Sequence, residues 1–117
     1  MWNMPGRYFA HRTKMADFFF LDGCTLECHL DYPDEPPRKK KDCVDSVDRK
    51  LANEMMTWLD DELQKSQAPV KIVVNHWPIY SAAKKGHGDF KKLQSYLLPL
   101  FKKHNVLMYF AGHDHLL

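Results

Sequence analysis

The chain has 117 residues, 44% of them hydrophobic and 13% aromatic, which fits one small globular domain and excludes an aromatic-poor disordered chain. Seventeen Lys and Arg face fifteen Asp and Glu, a formal charge of +2, so neither a nucleic acid nor an anionic membrane is the expected partner. No apolar run approaches the ~18–20 residues of a spanning helix, and three cysteines are an odd number for a closed disulfide scaffold.

From the amino end, Trp2-Asn3-Met4-Pro5-Gly6-Arg7 lacks the charged, apolar and small succession of a secretory leader. Tyr8–Arg12 is a short candidate strand. Met15–Leu21 is a stronger one, because Phe18, Phe19, Phe20 and Leu21 form a continuous apolar run, as in a strand covered on both faces. Asp22-Gly23 stops it. Residues 30–43 hold three prolines and the basic run Arg38-Lys39-Lys40-Lys41, and read as an exposed loop. Residues 46–66 read as a helix, with Val47, Leu51, Met55, Trp58, Leu59 and Leu63 at helical spacing and Asp45, Ser46 or Asp48 as its cap. Pro69 closes the connection. Val70–Val74 is β-branched and reads as a strand.

A long loop over 75–88 follows, with Pro78, Gly86 and Gly88. Asp89–His104 is a second helix carried by Phe90, Leu93, Leu97 and Phe101, which Pro99 is expected to kink or restart. Val106–Ala111 is the last strand. Helix, strand, loop, helix, strand is a βαβ unit with a lead-in helix, so the fold class is α/β. Parallel sheets carry their sites beyond the carboxyl ends of the strands. Two such ends are expected here, at Asn75-His76 and at Gly112-His113-Asp114-His115.

Three of the seven histidines, His76, His113 and His115, therefore stand directly after strands. Imidazole binds Zn, Fe, Mn or Ni through one nitrogen while the other is fixed by a hydrogen bond. A His-x-His pair can place both rings on one metal or one ring on each of two. A histidine from the adjacent strand end can join them.

These residues resemble the calcineurin-like metallophosphoesterase superfamily, and within it the animal-type purple (tartrate-resistant) acid phosphatases. Trp2-x-x-Pro5-x-x-Tyr8, Phe18–Asp22, Trp58-Leu59, Val73-Val74-Asn75-His76-Trp77-Pro78-Ile79-Tyr80-Ser81, His87-Gly88, Leu97-Leu98-Pro99-Leu100 and Gly112-His113-Asp114-His115 each resemble a family segment in order. The resemblance implies part of a four-layer α/β/β/α sandwich, with residues 1–117 as the carboxyl-terminal half of one domain. It implies a hydrolase of phosphate monoesters working through metal-activated hydroxide. The implied cofactors are two metal ions, iron with iron, zinc or manganese. Carried over, His76 and His113 share one metal, His115 binds the second, and His87 lies near the substrate phosphate as a catalytic residue.

The family's G-D-x-G, G-D-x-x-Y and G-N-H-[DE] motifs, which supply the bridging carboxylate and further ligands, are absent. Asp22-Gly23 lacks the preceding Gly, and Trp77-Pro78 follows His76 where an acid would stand. The chain alone is therefore expected to be inactive, and its missing partner is the amino-terminal half of the same domain. The competing expectation is a truncated or degenerate relative that binds at most a metal or a partner. The cysteines read as free thiols, and no Asn-x-Ser/Thr sequon occurs, so the compartment is left open.

Overall fold

The computed structural model describes residues 4–31, 43, 48–82 and 90–114. Four strands, β1 (Phe9–Arg12), β2 (Ala16–Phe20), β3 (Val70–Val74) and β4 (Met108–Phe110), form one sheet in chain order. The hairpin partners β1 and β2 are antiparallel, whereas β2, β3 and β4 run parallel. Three helices connect them: α1 (Gly23–His29), α2 (Arg49–Lys65) and α3 (Lys91–His104). The expected α/β class and the βαβ unit β3–α3–β4 are both present.

Each helix has a local cause. The Asp22 side chain accepts from Thr25 N and Thr25 Oγ1, at 3.0 and 2.9 Å, so the residue that stops β2 also starts α1. Asp48 caps α2 by accepting from Leu51 N at 2.8 Å. The period of α2 then buries Ala52, Met55, Leu59 and Leu63 on one stripe. Helix α3 runs unbroken through Pro99, with no restart; Leu93 and Leu97 are fully buried before the proline. It ends at Asn105, whose φ of 55° is the left-handed cap conformation that Asn tolerates.

Pleating decides which side of the sheet the helices cover. Phe19 and Val73 are fully buried against Leu26 of α1, the α2 stripe, and Leu93 and Leu97 of α3. The other face carries two registered rows, Phe9–Phe20–Val74–Phe110 and His11–Phe18–Ile72–Met108. Phe18 and Phe20 are only half-buried, and Phe110 and Met108 are 54% and 47% exposed. The apolar run in β2 is thus covered on one face alone, because alternate residues point away from the helices. No helix among the described residues is long and apolar enough to cross a membrane.

The free-thiol expectation is corrected. Cys28, at the end of α1, is disulfide-bonded to Cys43, with Cα atoms 5.9 Å apart, inside the range that bridging requires. Helix α1, which the sequence reading missed, places Cys28 where the chain leading into α2 returns beside it. The loop expected over 30–43 lies mostly outside the described residues.

Candidate metal centre

Because β3 and β4 are parallel neighbours, their carboxyl ends open side by side. Val74 pairs with Phe110, and Asn75 N continues the ladder to Phe110 O at 2.9 Å. One step further, Gly112 N donates to His76 O at 3.0 Å, which ties the two strand-end loops together. A Cβ at Gly112 would sit 3.7 Å from His76 Nδ1, so the backbone here lies against the ring. Asn75 is buried, and its Oδ1 accepts from His76 N at 2.8 Å, which fixes the peptide that presents the imidazole.

The two rings meet. His76 Nε2 and His113 Nδ1 are 3.3 Å apart, with ring centroids 5.2 Å apart and planes 80° from parallel. Trp77 lies 3.7 Å from the His113 ring, centroid to centroid, and the Phe90 ring stands edge-on at 5.7 Å. His113 is half-buried on this aromatic floor, and His76 is exposed. Its loop is pinned from beneath: Tyr109 Oη donates to Trp77 O at 2.6 Å and Gln94 Nε2 to Ile79 O at 2.9 Å. Burial pushes the Tyr109 phenol well above its ordinary value, with the Asn75 amide drawing it partly back, so it stays a donor at any working pH.

The donor set fits a transition metal. Two imidazole nitrogens bound to one ion at ~2.1 Å and 90–110° apart lie about 3.0–3.4 Å from each other. The observed 3.3 Å lies within that range, and is also within hydrogen-bond reach of the two rings. Two ligands are one short of the three protein ligands that even an open catalytic site uses. Among the described residues no third His, Cys, Asp or Glu completes a cluster. His115 and His87 lie outside the described residues. The sequence gives no role to Asn75, Trp77, Ser81 or Asp114; Asn75, Trp77 and Asp114 adjoin the histidines, and Ser81 stands out only as the end of the Val73–Ser81 segment that resembles the family.

Comparison with known proteins follows the same line. The calcineurin-like phosphoesterase family model matches residues 2–117. The chain is 30% identical over 121 aligned residues to tartrate-resistant acid phosphatase type 5 of Sus scrofa, covering 97% of this chain and 33% of that protein. It is 36% identical over 112 residues to purple acid phosphatase 7 of Arabidopsis thaliana, covering 95% and 33%. A solved structure, "GAP50 the anchor in the inner membrane complex of Plasmodium", superposes with a TM-score of 0.65 at 30% identity, over 97% of this chain and 33% of that one. The chain spans about a third of the length of these relatives. Proteins of this kind use dimetal centres. The strand order, the paired strand ends and the match over nearly every residue agree, and the chain belongs to the calcineurin-like phosphoesterase family.

Proposed function

We propose that this chain is the histidine-bearing, carboxyl-terminal part of a dimetal phosphomonoesterase domain of the acid phosphatase type. The observation that carries the reading is the approach of His76 Nε2 to His113 Nδ1 at adjoining strand ends, in a chain related to acid phosphatases over almost its whole length. In this reading His76 and His113 hold one cation, His115 reaches the other, and His87 meets the substrate phosphate. When bound, two such cations would supply Lewis acidity and charge neutralisation for the phosphate and for an attacking water. Iron with iron, zinc or manganese matches such a histidine and carboxylate set.

The chain's own residues do the positioning. Asn75 orients His76, Trp77 walls the lower side of His113 from water, and a protonated His87 would balance phosphate charge or donate a proton. No serine or cysteine nucleophile is needed. The family motifs that would bring further carboxylate ligands are not in this sequence. A second sheet of the same domain would bring them and pack on the open face of Phe18, Phe20, Met108 and Phe110. This chain alone then hydrolyses nothing.

A second reading has one observation in its favour, the likeness to a Plasmodium protein titled an anchor. In it the chain is a non-catalytic relative that binds a partner, with the histidines retained as structure. Hydrolysis of a generic aryl phosphate separates the two. The proposal expects turnover by the longest product of the gene, its loss in His113→Ala, and none from the 117-residue chain. Absence of turnover in the long product, with metals supplied, would leave the second reading.

A further inference from the structure

We propose that Ser81 and Asp114 form a clasp that positions His113 toward His76, so that Asp114 acts as a positioning residue. This deepens the metal-site reading and rests on it. His113 has a φ of 66°, in the left-handed region that a residue other than glycine seldom adopts. The turn is closed over three residues by Asp114 N donating to Gly112 O at 2.8 Å, a tight γ-type turn of the strained hand. Such a conformation persists only where the surroundings over-determine it.

Among the described residues, two ties do so. On the amino side, Gly112 N is bonded to His76 O. On the carboxyl side, Ser81 Oγ donates to Asp114 Oδ2. Ser81 belongs to the same loop as His76, and the Tyr109 and Gln94 hydrogen bonds hold that loop still. The Asp114 side chain therefore anchors one histidine's turn to the other histidine's loop. Without it the turn would relax to a commoner φ, and the His113 ring would swing off Trp77 and away from His76. The Asp114 Oδ2 engaged by Ser81 is directed along this tie, which gives Asp114 an orienting role of the kind that hydrogen-bonding partners of ligands play in metal sites.

The test reads the metal-free protein first. In the longest product of the gene, carbon-13-labelled histidine assigns the His113 signals by their loss in His113→Ala. The Trp77 ring, with its centroid 3.7 Å from that of His113, is expected to shift those signals upfield in the wild type. Ser81→Ala and Asp114→Ala are expected to abolish that shift, and Ser81→Thr and Asp114→Asn, which keep the hydroxyl and an acceptor oxygen, to retain it. Should either Ala variant fail to fold, the Thr and Asn variants decide, and loss of the shift in both overturns the clasp. An unchanged shift in folded Ala variants overturns it as well. Zinc titration then follows: the Ala variants should bind about 10–100-fold more weakly and Asp114→Asn near wild type. A wild type that binds no zinc defeats the metal-site reading, while the ring shifts still judge the clasp.

Discussion

Gly23 opens α1 at a spot where the fold has no room for a methyl group, and Gly23→Ala tests how that helix sets up the site. A Cβ on Gly23 would lie 2.0 Å from Asn75 Oδ1, 3.0 Å from Asn75 Cγ and 2.9 Å from Trp77 Cδ1. Asn75 must retreat by about 1 Å to restore a van der Waals contact, and Asn75 is buried. Overpacking of this kind costs about 1–3 kcal/mol. Retreat also stretches the bond from His76 N to Asn75 Oδ1, worth about 0.5–1.5 kcal/mol. Against this, alanine is favoured over glycine in a helix by about 0.5–1 kcal/mol. The expected sum is a loss of about 0.5–4 kcal/mol, opposite in sign to helix propensity. Urea unfolding midpoints measure it, with Gly6→Ala as the control, since a Cβ there meets nothing closer than 3.4 Å. A Gly23→Ala protein as stable as wild type, or more so, would refute the packing argument.

Three further outcomes follow from the core and its edges. Burial by itself pushes the Asp17 carboxyl up, but hydrogen bonds from Ser66, Arg12 and Thr13 and the Arg12 charge hold it below the usual carboxylate range. A carboxyl held low stabilises the fold above its unfolded pKa of about 3.9, and that stabilisation disappears as pH falls through the lower folded value. Asp17→Ala should therefore cost about 1–3 kcal/mol at pH 7, chiefly by stranding Ser66, and the gap to wild type should narrow below pH 4. Unfolding midpoints taken from pH 7 to pH 2 show whether it does. Reducing the Cys28–Cys43 bond, 15 residues apart in sequence, should lower stability by up to about 3 kcal/mol, and Cys24→Ser should leave that loss unchanged. Leu59 is fully buried, so Leu59→Ala should cost about 2–5 kcal/mol while the exposed Gln64→Ala stays within about 0.5 kcal/mol.

The elements with strong periodicity are legible in the sequence alone. Val70–Val74 coincides with β3, and the stripe Leu51, Met55, Leu59, Leu63 lies within α2, because spacing and β-branching are local properties. Helix α1 was not legible. Its sequence, GCTLECH, has little periodicity, and it exists because Asp22 caps it and Leu26 reaches the common core. The disulfide depended on that missed helix, and so was missed with it. Val106–Ala111 shortens to Met108–Phe110, the residues in register with Ile72, Val73 and Val74, although Leu107 N also donates to Lys71 O at 3.0 Å. At the site, two histidines after parallel strands are visible as a pattern, and the sheet brings their rings together. The γ-type turn at His113 is not visible because the residue at positive φ is a histidine and not the glycine that would mark it, and the Ser81–Asp114 contact is not visible because it joins residues 33 apart in the chain.

The central claim is that His76 and His113 serve one metal ion together. Metal content of the longest gene product, measured for the wild type and for His76→Ala, His113→Ala and the double variant, tests it most directly. The account predicts about two ions per wild-type chain, loss of the same single ion in each variant, and no further loss in the double variant. Undiminished metal content in both single variants, or loss of different ions in each, would contradict it.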